Sequence, residues 1–480
     1  MAYSSITKPS DHFNTILYTG DGTSPKSITG VGFQPDWVWI KKRSGTTPHV
    51  LYDVVRGDGK QLMSDSTANE GTNNQYGYVS DFETDGYEVT QGSTNISRVN
   101  ASSATFVAWN WLAAGTTPSK TYTVKVVSDS GNKYRFDDFG TSAVTLELSE
   151  GGTFRFDQSD SSNSGHPLRF STTSDGTHGG GSEYTTGVTT SGTPGSSGAY
   201  TEITVAASAP TLYYYCTQHS GMGGQANTPT TNSFSNFSGS IQSNISPNTT
   251  AGFSIVTWTG SGADATIGHG LSSAPEMYVV KNRTDSSTNW RVGQTVAGNT
   301  MTAGNGYYME WDDTKVSTNP GSAVTWGSTP TAPTSSVFTV GSNNSHNGSS
   351  DNMLAYCFHS VKGYSKIGSF YGNNSTNGTF VYTGFKPAWV VIKGVSVTGR
   401  WHIYDFKINP VNEANQELYI NDTTAESTTT TGEIDILSNG FKLRGAGSEV
   451  NDPQTYIYMA FAENPFVAND SGTAIPVTAR

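Results

Sequence analysis

"GFQPDWVWIKKR", residues 32–43, is the stretch on which the reading of the fold turns. A proline opens a short run in which Trp37 and Trp39 alternate with Val38 and Ile40 before Lys41. Successive side chains of a strand point to opposite faces, so both faces of this one are apolar, as in the middle of a packed sandwich. The run returns as "GLSSAPEMYVVKNR" (270–283) and "GFKPAWVVIKG" (384–394). Upstream of each copy stands a second motif, "LYTG" (17–20), "TWTG" (257–260) or "SFYG" (369–372). From Gly20 to Pro35, from Gly260 to Pro275 and from Gly372 to Pro387 the spacing is 15 residues every time. A third apolar run closes each copy: "FVAWNWLA" (106–113), "MLAYCFHS" (353–360) and "YIYMAFAENPF" (456–466). Repetition at fixed internal spacing marks tandem structural units. Pro35, Pro275 and Pro387 precede the strand, where a missing N–H costs little. Lys41, Lys281 and Lys393 follow it and are expected as solvated strand ends.

Aligning the closing runs on their alanines puts Ala108, Ala355 and Ala460 in one slot and Asn110, Cys357 and Ala462 in another on the same face. Cys357 therefore reads as a small packed residue, with no redox or metal role. Copies two and three abut, since Ala355 to Gly372 is 17 residues. Ala108 to Gly260 is 152, a surplus of 135, which leaves room for a linker and an inserted domain.

Composition agrees with an all-β protein. Only 34% of the 480 residues are hydrophobic, 54 are Gly, and short β-branched and aromatic runs alternate with Gly/Asn/Ser/Asp clusters. A net charge of −12 argues against a nucleic-acid partner, which calls for a basic face. Two cysteines make no disulfide framework. "MAYSSITKPSDHFN" has neither a basic n-region nor an apolar h-region, and no 18-residue apolar run occurs, so neither a signal peptide nor a membrane span is expected. The chain is expected to be made in a cytoplasm. The expected organisation is an N-terminal arm (1–11), a β-sandwich (12–115), an insert (120–224), a linker (225–250), two further sandwiches (251–362 and 363–467) and a C-terminal tail (468–480).

Within the insert, strands are expected at 121–128, 143–158, 167–172, 200–207 and 211–217, with a Gly/Ser/Thr-rich loop at 173–198. Its soft donors are His166, Cys216, His219 and Met222. Two imidazoles, a thiolate and a thioether are the donor set of a mononuclear blue-copper centre, His2Cys in a plane with a weak axial Met. Cys216 ends a strand, a short turn returns His219, and Gly221, Gly223 and Gly224 let the chain bend around Met222. On "GHPLRF" and "CTQHSGM" the insert resembles a cupredoxin, with the short Cys-x2-His-x2-Met spacing most similar to amicyanin. The resemblance implies a Greek-key β-sandwich holding type 1-like copper through His166, Cys216, His219 and Met222. Cupredoxins commonly follow the first histidine with an Asn that ties the two ligand loops together. Pro167 stands there instead, a departure that bears on redox tuning.

No catalytic residues are expected. Asp137-Asp138 and Asp312-Asp313 read as solvated turns, because adjacent carboxylates do not converge on a cleft as glycosidase chemistry requires. "RGD" at Arg56-Gly57-Asp58 reads as a turn of a Gly-rich chain, not an adhesion motif. No G-x-S-x-G, H-E-x-x-H or phosphate loop occurs.

On "FNTILYTGDGTSPKSITGVGFQPDWVWIKKRS", "GFKPAWVVIKG" and "YIYMAFAENPF", the three-copy scaffold resembles tandem, jelly-roll-like β-sandwich proteins of marine bacteriophages, of the cyanophage and pelagiphage type. The resemblance implies a virion structural protein, a tail fibre or receptor-binding adhesin. Its partners would be other virion proteins and a glycan or protein receptor on the host surface, and fibres of this type are commonly homotrimers. A capsid decoration or head fibre, and a copper electron-transfer protein, are the alternatives.

Overall fold

The computed structural model describes residues 4–72, 74–297, 306–319, 325–446, 449–465, 467–470 and 473–476. The chain is built from β-sandwiches. It divides into two compact units, one of Met1–Ala113, Pro247–Ala265 and Leu271–Arg480, the other of Ala114–Ser246 and Thr266–Gly270.

The larger unit contains the three repeats, and their main sheets share one topology. In the first, strand order is Phe13–Thr19, Thr105–Trp111, Trp37–Lys42, Val50–Asp53. In the second, Phe253–Thr259, Asn352–Phe358, Met277–Asn282 and Arg291–Gln294 follow the same order; in the third, Ser365–Tyr371, Thr455–Pro465, Phe385–Gly394 and His402–Asp405 do. The closing strand thus lies at the centre, between the first and second strands of its copy.

Each main sheet is buried on both faces, for two different reasons. Trp37, Trp39, Trp109 and Trp111 join Met277, Val279, Tyr356 and Phe358 of the second copy and Trp389, Val391, Met459 and Phe461 of the third in a single core common to all three. The alternate residues Val38, Ile40 and Ala108 face a core private to the first sandwich, and Val390, Ile392 and Tyr458 face one private to the third. Strand alternation alone delivers this division. Trp37 stacks on Tyr356 at 4.3 Å and Trp39 meets Trp389 at 6.4 Å, so aromatic contacts run across copies.

The lysines expected in solvent are buried. Lys41, Lys281 and Lys393 are each 0% exposed. Each ammonium donates to a carbonyl of its own copy and to one of another: Lys41 Nζ to Thr423 (3.0 Å), Lys281 Nζ to Thr67 (2.7 Å), Lys393 Nζ to Thr314 (3.0 Å). Thr67, Thr314 and Thr423 each lie five positions after an equivalent core residue, Leu62, Met309 and Leu418. Copy one therefore reaches copy three, copy two reaches copy one, and copy three reaches copy two. Head-to-tail contacts of this kind either close or propagate; here three of them close within one chain. Trp290 Nε1 donates to the Met63 carbonyl and Trp401 Nε1 to that of Glu310, both at 2.8 Å, in the same rotational sense. Arg43–Glu426 and Arg283–Glu70 pairs repeat it twice more at the seams.

Strand register corrects the alignment of the third copy. Lys41 pairs with Val107, Lys281 with Leu354 and Lys393 with Ile457. Ala460 thus shares the slot of Asn110 and Cys357, two residues from its expected place, because the third copy is two residues shorter than the first between proline and closing strand. An even slip keeps every residue on its face, so Cys357 still occupies a small-residue position.

Other expectations change for similar reasons. Residues 4–11 do not form a free arm: Ile6 is 2% exposed in the common core. Residues 225–250, expected as a linker, hold strands Gly224–Asn227, Phe234–Asn236 and Ser243–Asn248, with Phe234, Phe237 and Ile245 buried. Asp312 is no solvated turn. It is half-buried and accepts the Trp290 N–H at 3.1 Å, as Asn421 does for Trp401 at 3.0 Å. Asp137 and Asp138 do form a turn, both with left-handed backbone, paired to Lys120 and Lys125. Arg56 is a core residue bound to Asp53, so "RGD" presents no arginine to solvent. Among the described residues no helix is long and apolar enough to cross a membrane.

Candidate metal centre

The smaller unit pairs two five-stranded sheets. One runs Asn132–Phe136, Ser119–Ser128, Thr153–Asp157, Tyr200–Thr204, Val188–Ser191; the other runs Leu146–Glu147, Gly224–Asn227, Leu212–Cys216, Leu168–Ser171, Glu183–Tyr184. Ser119–Ser128 and Thr153–Asp157 are parallel, as are Leu146–Glu147 and Gly224–Asn227. The interior is aromatic: Tyr122, Phe136, Phe156 and Tyr214 are at most 1% exposed.

Strand pairing brings three of the four expected donors together. Leu168 lies opposite Cys216 in antiparallel register, so His166, two residues before Leu168, emerges at the same end as Cys216. The Thr217 N–H then donates to the Pro167 carbonyl at 3.2 Å and ties the two loops through the backbone. From Cys216 the chain turns sharply back into Gly224–Asn227. Gly221 takes φ +72°, and a Cβ on Gly223 would lie 1.6 Å from the Tyr214 carbonyl, so glycine is required there.

Cys216 Sγ stands 3.8 Å from His166 Nδ1 and 3.7 Å from His219 Nδ1. The three donor atoms all lie within 4.8 Å of one another, with Cys216 buried, His166 half-buried and His219 exposed. Bonds of about 2.3 Å to sulfur and about 2.05 Å to nitrogen, opened to 120°, place sulfur and nitrogen about 3.8 Å apart; a tetrahedral angle gives about 3.6 Å. The observed separations suit one ion shared by all three donors. The Gln218 N–H points at Cys216 Sγ from 3.4 Å and helps to fix the position of the sulfur. Burial and the neighbouring His219 lower the His166 pKa, which favours the neutral imidazole that ligation needs. Met222 is 1% exposed in the same loop, and its carbonyl accepts the Tyr134 N–H at 3.0 Å.

Residues with no sequence signal brace the site. Gln158, fully buried, donates to the His166 carbonyl at 2.8 Å and accepts from the Leu168 N–H at 3.1 Å. It supplies side-chain support on the His166 loop, where Pro167 has no such group to offer. Asp175 accepts from the Ser220 hydroxyl at 2.5 Å and the Gly221 N–H at 2.8 Å. His178 Nε2 meets the Cys216 carbonyl at 3.0 Å. Both come from the Gly/Ser/Thr-rich loop, whose composition gave no hint of a ligand-facing role.

A family model described as a domain of unknown function (DUF7483) matches residues 8–136 and 224–465. The chain belongs to this family. No curated protein and no solved structure gives a significant match. The DUF7483 match takes in all three repeats of the larger unit. Residues 137–223, with His166, Cys216, His219 and Met222, lie outside it.

A second polar cluster, in the third repeat, also escaped the sequence. His402 Nδ1 meets Glu417 at 2.8 Å and Nε2 meets Glu449 at 3.0 Å, beside a cavity of about 160 Å³ lined also by Arg400, Tyr419 and Thr431. Both ring nitrogens are engaged by carboxylates, which outweigh burial and favour the imidazolium, so neither nitrogen is a free metal donor.

Proposed function

We propose that the chain is a non-enzymatic structural component of a bacteriophage virion, a tail fibre or receptor-binding adhesin. The observation that carries this reading is the closed ring of three sandwiches. One chain supplies the threefold arrangement that fibre proteins commonly build from three, with buried lysine-to-carbonyl seams that make the body rigid. A ring of this kind can dock on a symmetric particle while loops on its outer faces diverge for recognition. The scaffold resemblance to marine phage proteins supports the same reading, and it leaves a capsid or head-fibre position open to the same test. Labelling the chain in purified particles, with reconstruction at the labelled position, tests it. The reading fails if the chain is absent from particles.

A second reading belongs to the inserted unit and rests on a specific observation, the convergence of Cys216 with two histidine Nδ1 atoms. His166, Cys216 and His219 would hold a single copper ion, with Met222 as the weak fourth donor. Copper so bound supplies one-electron exchange. The chain's own contribution is to keep the thiolate buried, the loops tied and His219 at the surface, where an electron partner can approach. Cu(II) titration, followed by the intense thiolate-to-copper absorption, tests this reading.

A further inference from the structure

Because the three repeats share one topology and register, each is a control for the others. Thr19, Thr259 and Tyr371 end the first strand of their main sheets, opposite Thr105, Asn352 and Thr455. On the second sheet of the first copy, Ser27 and Thr29 flank buried Ile28 and pair with Glu88 and Gly86. On that of the third copy, Phe380 and Tyr382 flank buried Val381 and pair with Lys442 and Gly440. In the second copy Thr266 and Gly268 flank buried Ile267. At three positions, then, the third repeat carries an aromatic ring where its sisters carry Thr, Ser or Gly.

All three rings face solvent. Tyr371 is 60% exposed, Phe380 44% and Tyr382 56%, more than any other Phe, Tyr or Trp among the described residues. The Tyr371 hydroxyl donates to the Pro453 carbonyl at 2.8 Å, a contact that needs no more than the edge of its ring. Ring faces left in water add no apolar burial to the fold, so three of them in one copy alone point to an occupant. Phe380 and Tyr382 lie on one face of an edge strand. Between them and Tyr371 runs "GNNSTNGT" (372–379), which carries amides and hydroxyls and no charge. The loop is preformed: Thr379 Oγ1 donates to the Tyr371 carbonyl at 2.7 Å and Asn451 Nδ2 to the Ser375 carbonyl at 2.9 Å.

The size and chemistry of this surface decide between occupants. At roughly 200 Å² per ring, these exposures offer about 300 Å² of aromatic surface, well short of the about 800 Å² per partner of a standard protein interface. The loop is uncharged, and Lys442 beside Phe380 has Asp435 opposite it on the next strand, so the surface carries no net charge that would select a phosphate or an acidic polymer. A sugar ring matches both features, since its C–H face stacks on an aromatic ring and its hydroxyls suit amides and hydroxyls. We propose that Tyr371, Phe380 and Tyr382 form a platform for a neutral saccharide, whose hydroxyls are held by the 373–379 loop. This deepens the adhesin reading by naming the receptor chemistry and its surface.

The test uses the purified full chain on an array of neutral oligosaccharides (glucans, mannans and galactans), with sedimentation in parallel. The variant Tyr371→Thr/Phe380→Ser/Tyr382→Thr places in the third repeat the residues of the first, which that fold already accommodates. The expected result is saccharide binding that falls at least tenfold in the variant, which still unfolds in the same cooperative transition. Absence of wild-type binding to every neutral saccharide, or binding undiminished in the variant, overturns the proposal. So does wild-type self-association that the variant lacks, which would make a second copy the occupant. Particle labelling is a separate measurement, so failure of the virion reading and failure of the saccharide platform are told apart.

Discussion

The ammonium of Lys41 donates a hydrogen bond to the carbonyl of Thr423, 382 positions along the chain, at 3.0 Å. The same bond closes copy two on copy one and copy three on copy two. A buried ammonium that serves several carbonyls leaves them unsatisfied when it is removed, at about 1–3 kcal/mol each. Lys41→Met, Lys281→Met and Lys393→Met keep the length of the side chain and delete the donor. Each is expected to lower stability by about 3 kcal/mol in urea unfolding. Three similar losses are the signature of a ring; a variant at wild-type stability would mean that its seam is not closed by the lysine.

The two cysteines give a matched pair for the metal centre. Both are buried, but only Cys216 faces imidazoles, whereas burial alone pushes the Cys357 thiol well up. With Cu(II), the wild type and Cys357→Ala are expected to develop the same strong charge-transfer band and retain one equivalent of metal. Cys216→Ala is expected to lose both. Equal copper retention by all three proteins would place any copper elsewhere.

His402 and Glu449 set a pH window. Hydrogen bonds to Glu417 and Glu449 outweigh burial and raise the His402 pKa above its ordinary 6.5. The histidine's contribution is therefore complete below about pH 6.5 and lost as pH climbs through the raised value. Glu449 is held down at about 2, chiefly by its hydrogen bond to His402, so its contribution is present above its ordinary 4.5 and lost as pH falls toward 2. Both act together between about pH 4.5 and 6.5. The difference in urea midpoint between wild type and His402→Gln is expected to peak there and shrink above it. A pH-independent difference would refute the charged pair.

Much of this was legible in the sequence because spacing survives where residue identity does not. The 15-residue interval from Gly20 to Pro35 located all three copies, and alternation in "WVWIK" announced two apolar faces. Nothing in a strand says whether its second face meets its own sandwich or a neighbouring copy, so Lys41 read as a solvated end. A signal was present, a lysine in the same place three times with a threonine five residues after Leu62, Met309 and Leu418, but it is visible only once the copies are set side by side. The ligand loop was legible because Cys216, His219 and Met222 are close in sequence. Gln158 was not, since its partners are the backbone groups of His166 and Leu168, which no residue type reveals.

Gln158 therefore makes the sharpest test of how the site is held. Its amide bridges the His166 carbonyl and the Leu168 N–H. In Gln158→Leu the volume is nearly kept. The His166 carbonyl retains the Tyr134 hydroxyl at 2.9 Å, but the bond from the Leu168 N–H to the side chain is gone. That loss is expected to cost about 1–2 kcal/mol in stability. The larger effect falls on the metal, because a ligand whose loop is free to shift must be ordered at the moment of binding. Loss of supporting contacts typically weakens metal affinity 10–100-fold, and about tenfold is expected here because Thr217 still ties the loop to Pro167. Competition against a chelator of known strength measures it, with Tyr134→Phe as the companion that removes the other bond to the same carbonyl. Copper affinity unchanged in both variants would show that His166 is positioned by strand pairing alone.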